Sequence, residues 1–386
     1  MTADRRVART GGSPLLSAEG AAILAGTGAF VLGCLVALPL FWGHTLPISG
    51  PGSLGQFAAI AGGLIGVVAY VVGRLWLRTG LRPFAAPSGR SEDRISAADV
   101  FDTIVIALAH GVIALLAWLV VGAVLAESFR DAAVYFLAAC ALAGTAVALT
   151  AYIVFLSAVE MSLTRLSTVL GVFVVVGVFT AMLSAPDPHW WKLHLSALGM
   201  TESLSSLSFN LTLIIAGIIV TAMARYATDT RALGPAGQPK DDPDAIRRSA
   251  LVRVRVGLIL IGLLLAGVGL FPLNVSQVLH NVSAVGMVVV FALVVFWVRK
   301  ALPQAPASFF LLGYAFFAII VVVLIFFVVG YYVLTATELV AGVLVFSWLI
   351  VYLRVSGAAG PAAAVTTPAA PTPADREQNS VRSPLE

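Results

Sequence analysis

A chain of 386 residues with 60% apolar and 11% charged side chains cannot cover itself with the polar surface that a water-soluble protein needs. Its formal charge of +4 would suit a nucleic-acid partner only if it were gathered in one patch, and here it is divided among the gaps between apolar runs. With a mean hydropathy of +0.99 the chain reads as an integral membrane protein, counted in spanning helices of about 20 apolar residues.

Residues 1–18 carry Arg, Gly and Ser without apolar periodicity and read as a disordered cytoplasmic tail. Apolar runs follow at 20–42, 55–77, 100–126 and 132–157, a four-helix membrane region spanning 19–160. Six more, at 166–185, 207–225, 256–272, 277–298, 307–333 and 336–354, make a second region over 161–356. Residues 357–386, rich in Ala, Pro and Thr, read as another disordered tail. Runs of this length are helices, because barrel strands are about ten residues of alternating polarity. The expected fold is therefore all-α and polytopic, with about ten transmembrane helices. The first run is too long and too deep in the chain for a signal peptide and reads as a retained helix. Cys34 and Cys140 both fall in apolar runs, which suits small buried side chains better than a disulfide or a metal pair. The polar loops 78–99 and 226–252 are too short to be domains.

Charge sets the orientation. With the N-terminus in the cytoplasm, every one of the 23 Lys and Arg residues except Arg130 and Lys192 falls on the cytoplasmic side or in its flanks. That asymmetry is what positive-inside sorting produces, and one miscounted span would scramble it. Both termini are then cytoplasmic, and the basic clusters read as topology signals and contacts to anionic headgroups, with no nucleic-acid site. Only Lys192, Lys240 and Lys300 are lysines, and this preference for Arg hints at a GC-rich bacterial genome, hence a bacterial plasma membrane.

The first four runs and the next four share an outline of helix, outer loop, helix, basic inner loop and hairpin. "HTLPISGPGSLGQF" (His44 to Phe57) occupies the place of "HWWKLHLSALGMTESL" (His189 to Leu204), which suggests a parallel repeat.

Ionisable and amide residues within spans are costly unless paired, so they are the default functional candidates. Asp102 and Glu160 stand near the cytoplasmic ends of spans three and four, where a carboxylate reaches water or an arginine. His110 lies two turns deeper in span three and reads as a neutral hydrogen-bonded group. Asn210 opens span six, where an amide can tie helices together or line a headgroup site. A transport route would need Asp102, His110, Glu160 and Asn210 to converge.

The richer set lies outside. Asp187, His189, Trp190, Trp191, Lys192, His194, Ser196 and Glu202 share the loop between spans five and six, and Asn274, His280 and Asn281 the turn between seven and eight. If the loops meet, Lys192 and a protonated His would face a lipid phosphate, and Glu202 or Asp187 an amine. The plainer readings are that Trp190 and Trp191 anchor at the headgroup level and that Thr201 and Glu202 start a helix. A zinc hydrolase would need His189, His194 and His280 as ligands, and the spacing of His189 and His194 splays them onto different helix faces. No Gly-x-Ser-x-Gly elbow, Walker loop or His-Glu-x-x-His motif is present, so no catalytic residue, metal or cofactor is assigned.

"LHLSALGMTESLSSLSFNLTLIIAGIIV" and "GVGLFPLNVSQVLHNVSAVG" resemble the bacterial membrane family called domain of unknown function 998. The carrying residues are Leu195, Ser196, Leu198 and Gly199, then Asn210 and Leu211, then Phe271, Pro272 and His280, with Leu195 departing from the family's Ile. The resemblance covers about residues 163–355 and leaves the first four spans outside. It is similar in outline to the damage-regulated autophagy modulators and their relatives in lipid remodelling, and implies a six-helix membrane unit associated with lipid. The expected function is non-enzymatic handling or sensing of envelope lipids, with membrane lipids and an unidentified membrane protein or a second copy as partners. A permease subunit and a membrane-embedded hydrolase are the alternatives.

Overall fold

The computed structural model describes residues 17–78, 97–228 and 242–358. Ten helices, each long and apolar enough to cross a membrane, make up nearly all of it. They are α1 (Ala18–Phe41), α2 (Leu54–Arg78), α3 (Ala97–Ser128), α4 (Phe136–Val159), α5 (Leu163–Leu183), α6 (Leu204–Tyr226), α7 (Pro243–Leu270), α8 (Gln277–Ala301), α9 (Ala307–Val328) and α10 (Leu334–Ala358). The protein is thus an all-α, multi-pass membrane protein. The two sequence tails lie outside the described residues, apart from Ser17 and Ala18, which start α1, and Gly357 and Ala358, which end α10.

Local chemistry sets the helix ends. Ser17, Ser162, Asp242 and Ser276 cap α1, α5, α7 and α8 by accepting from backbone N–H groups of the first turn, which have no partner inside the helix. The Asp242 cap, with Pro243 at the first helical position, starts α7 well before the apolar run at 256. The first turns of α7 are therefore basic helix rather than loop. Span nine ends at Val328, short of the 333 expected, because Gly330 adopts a left-handed φ of 77°. Gly330 N–H donates to the Phe327 carbonyl (3.0 Å) and Tyr331 N–H to the Phe326 carbonyl (2.8 Å), the pair of bonds that closes a helix at such a glycine.

The bundle is assembled in two groups joined by α3. α1 lies along α4, and α2 packs between α3 and α4. On its other side α3 meets α5 and α6, and the chain continues as α5 on α6, α6 on α7 and α7 on α8. α10 covers α5 and contacts α9. One buried apolar cluster runs through both groups, from Ala29 on α1 and Tyr70 on α2 to Leu353 on α10. On α8, α9 and α10, Trp348 stacks on Phe309 (centroids 5.7 Å) and Tyr352 (5.5 Å) with Phe291 edge-on. Leu46–Pro47 (β1) pairs antiparallel with Ala133–Val134 (β2), tying the α1–α2 and α3–α4 loops together.

The packing does not follow the suggested parallel repeat. α1 packs along α4 whereas α5 has no comparable contact with α8, and α7 packs along α8 whereas α3 barely touches α4. α2 wedges between α3 and α4 and keeps them apart. The two loops paired by sequence also differ, one carrying β1 and the other two turns of 3-10 helix at Trp190–Lys192 and Leu195–Gly199.

Apolar surface gives little drive to helix association in lipid, so close backbone approach carries more of it. α6 and α7 meet this way. A methyl group added at Gly217 would strike the Gly262 carbonyl, and one at Gly262 the Gly217 carbonyl. Gly217→Val or Gly262→Val should therefore lower stability by about 1–3 kcal/mol. Gly28→Ala, on a face of α1 with no neighbour within 4 Å, should be neutral or slightly stabilising. Thermal unfolding in detergent, followed by the monodisperse fraction, measures both.

Candidate functional site at the α5–α6 end

The helix ends carrying Arg165, Arg225, Arg247, Arg299, Lys300 and Arg354 form one end of the bundle, and Arg130 and Lys192 belong to the other. At this second, poorly basic end, residues 184–203 connect α5 to α6 without regular helix. Such a segment is tolerable at the rim of a membrane bundle only if its backbone polar groups find partners. They do. The carbonyls of Leu198, Gly199 and Met200 accept in turn from Ser205 (3.3 Å), Asn210 (3.0 Å) and Asn274 (3.2 Å). Leu195 N–H donates to Glu338 Oε2 at 2.6 Å.

The α5–α6 and α7–α8 connections therefore meet. Ser196 Oγ lies 3.0 Å from His280 Nε2 and 3.3 Å from Glu338 Oε1, and His280 Nδ1 lies 3.0 Å from the Phe271 carbonyl. Ser196 and His280 are buried, so α8 and α10 hold the segment from beneath. Thr335 Oγ1, one turn before Glu338, and His194 Nδ1 are also buried there, without a hydrogen-bond partner.

This separates the expected headgroup residues into two layers. Asp187, His189, Trp191, Lys192 and Glu202 are exposed, with Lys192 Nζ 5.6 Å from the Trp191 ring centroid. Asp187 turns back on its own loop and accepts from His189 N–H at 2.8 Å. Trp190 packs against the core cluster, and Ser196 and His280 lie beneath the segment, out of reach of a headgroup. Asn210 binds the Gly199 carbonyl and so ties the loop to α6 rather than helix to helix. Asn281 is exposed on α8 and takes no part in the cluster. Thr201 and Glu202 precede the helix, which starts at Leu204 behind Ser203, and Thr201 Oγ1 bonds Ser203 Oγ (2.6 Å) instead of capping.

Asp102, His110, Glu160 and Asn210 do not converge. Asp102 on α3 accepts from Arg225 (2.5 Å) and from Tyr226 (2.6 Å), both at the end of α6. His110 bonds the Ile106 carbonyl (2.8 Å) and Ser157 (3.0 Å) and stacks on Tyr70. Glu160 pairs with Arg165 across the α4–α5 turn. Each serves its own joint in the scaffold. Among the described residues no three His, Cys, Asp or Glu groups converge to hold a metal, so His189, His194 and His280 are not a zinc set.

Glu338 is the residue that sequence reasoning missed. It stands near the start of the tenth apolar run, in "LTATELV", and the rule that singled out Asp102 and Glu160 applies to it equally.

Two outcomes test this account. Asn210→Leu leaves the buried Gly199 carbonyl unpaired and should lower stability by about 1–3 kcal/mol, with faster proteolysis within 195–203, whereas Asn281→Ala should change neither. In a double-mutant cycle on Asp102→Asn and Arg225→Gln, thermal unfolding should return a coupling of about 1 kcal/mol or more.

The chain matches no protein-family model, and no curated protein and no solved structure matches it.

Proposed function

We propose that the protein handles or senses envelope lipids at the outer face of a bacterial plasma membrane, by binding headgroups and without covalent chemistry. The observation that carries this reading is the two-sided segment between α5 and α6. Its inner side is bonded to α6, α8 and α10, and its other side carries exposed His189, Trp191, Lys192 and Glu202, with Lys192 Nζ 5.6 Å from the Trp191 ring centroid. With the basic end in the cytoplasm, as positive-inside sorting favours, that outer side lies at headgroup depth. There Trp191 suits the interface, Lys192 suits a phosphate, and Glu202 suits an amine.

The polar groups of the spans support the same reading. Asp102, His110, Glu160 and Asn210, the residues a transport route would need, each have a partner inside the protein. Membership of the family called domain of unknown function 998 is part of the proposal, and its implied association with lipid agrees with it.

Mass spectrometry of lipids co-purified in mild detergent tests the reading. Wild type should enrich one phospholipid class over its share of the bulk membrane, and a His189→Ala, Lys192→Ala, Glu202→Ala variant of equal folded yield should lose that enrichment. If wild type only mirrors the bulk composition, the headgroup site is wrong.

A further inference from the structure

The basic end of the bundle sorts its cations into two kinds. Arg225 is held by Asp102, Arg165 by Glu160, Arg247 by the Ala301 carbonyl, Arg255 by Thr228 and Arg354 by Thr168. Arg253 on α7 and Arg299 and Lys300 on α8 are exposed, and among the described residues no carboxylate pairs with them. Asp244, in the first turn of α7, stands nine residues before Arg253, about 13 Å along the axis.

Packing brings two of these three cations to one seam. A methyl group added at Gly257 would meet Val294, one at Gly267 would meet Ser283, and one at Gly286 would meet Leu264. These contacts fix an antiparallel register in which Arg253 is level with Trp297 and Val298, and Lys300 with Ala250 and Leu251. Along the axis the two cations are therefore within one helical turn, about 5 Å. Arg253, Leu260 and Leu264 share one face of α7, and Gly286, Trp297 and Lys300 share one face of α8. Because Leu264 lies against Gly286, the two faces run side by side down to Arg253 and Lys300. Arg299 instead follows Val295 and Phe296, which pack on Gly313 and Tyr314 of α9, and so stands on the other flank of α8.

The depth of the pair suits a lipid phosphate. The 28 residues of α7 measure about 42 Å against a hydrocarbon core of about 30 Å, so its basic first turns extend past the core. Trp297, level with Arg253, is only partly buried, as an indole at the headgroup boundary is. Towards the bilayer centre, Val256, Leu260 and Leu293 are exposed beside the seam.

We propose that the α7–α8 seam at the basic end binds one anionic phospholipid, with its phosphate between Arg253 and Lys300 and an acyl chain along Val256, Leu260 and Leu293. A guanidinium and an ammonium with no carboxylate beside them fit a headgroup of net negative charge, whereas the amine of a zwitterionic headgroup would find no partner there. The site belongs to the leaflet opposite Lys192 and Glu202, so it stands or falls apart from the outer-face reading.

Native mass spectrometry of the full chain in detergent, titrated with dioleoylphosphatidylglycerol or dioleoylphosphatidylcholine, counts the bound lipid. Wild type should take up its first phosphatidylglycerol more tightly than phosphatidylcholine by about tenfold or more. Arg253→Gln and Lys300→Gln should each weaken that binding by about fivefold, and the double variant should no longer distinguish the two lipids. Arg299→Gln and Lys192→Ala should change it little, and inorganic phosphate should not displace the lipid, because the seam also holds the chain.

Equal binding of both lipids by wild type overturns the proposal, and so does a preference that survives the double variant. An equal loss in Arg299→Gln would mean a diffuse field of basic charge in place of a site. Displacement by inorganic phosphate would mean a soluble anion as the occupant. Should the double variant fail to fold, the two single losses decide the matter, because both side chains are exposed and a glutamine keeps the helix.

Discussion

The architecture depends on one constraint, the need to satisfy backbone N–H and C=O groups where water is scarce. Ten helices meet it internally along their length, so the pressure falls on the connections. The sharpest case is the stretch from Ser184 to Ser203, which closes one end of the bundle without being a regular helix. Ser205 and Asn210 from α6, Asn274 from the α7–α8 turn and Glu338 from α10 supply what its backbone lacks. A loop held from three directions is a scaffold element, and its exposed side can present side chains in a fixed arrangement.

The same economy governs the basic end. α6 ends there with its last carbonyls unpaired by the helix, and Arg255 from α7 donates to the Thr228 carbonyl and hydroxyl while Tyr352 from α10 donates to the Ala227 carbonyl. A guanidinium at a helix C-terminus also meets the negative end of the helix dipole. Asp102 draws α3 to α6 in the same region, so the two helix groups are joined where α3 passes between them. The arginines that report topology thus also fasten helices.

Much of the fold was legible because lipid imposes so simple a rule. A run of about 20 apolar residues must be a helix, and the ten runs read from the sequence are the ten helices, with differences only at their ends. Those differences had local signals, Asp242 and Pro243 for the early start of α7 and Gly330 for the early end of α9. The site was legible in part. Ser196, Asn210 and His280 were marked as belonging together, yet as groups meeting a headgroup, whereas they lie beneath the segment that would meet it.

Spacing on a helix gives the direction of a side chain relative to its own axis, but not which neighbour covers that face. For that reason composition and hydropathy determined by themselves the class, the number of helices and the uneven charge at their ends, each a property of chain and solvent. That α1 lies on α4 while α5 leaves α8 alone, and that Glu338 reaches Ser196 from 142 residues away, was decided only in the tertiary structure. Those outcomes depend on which backbones can approach closely and which buried polar groups must share hydrogens, and neither is written in any single segment.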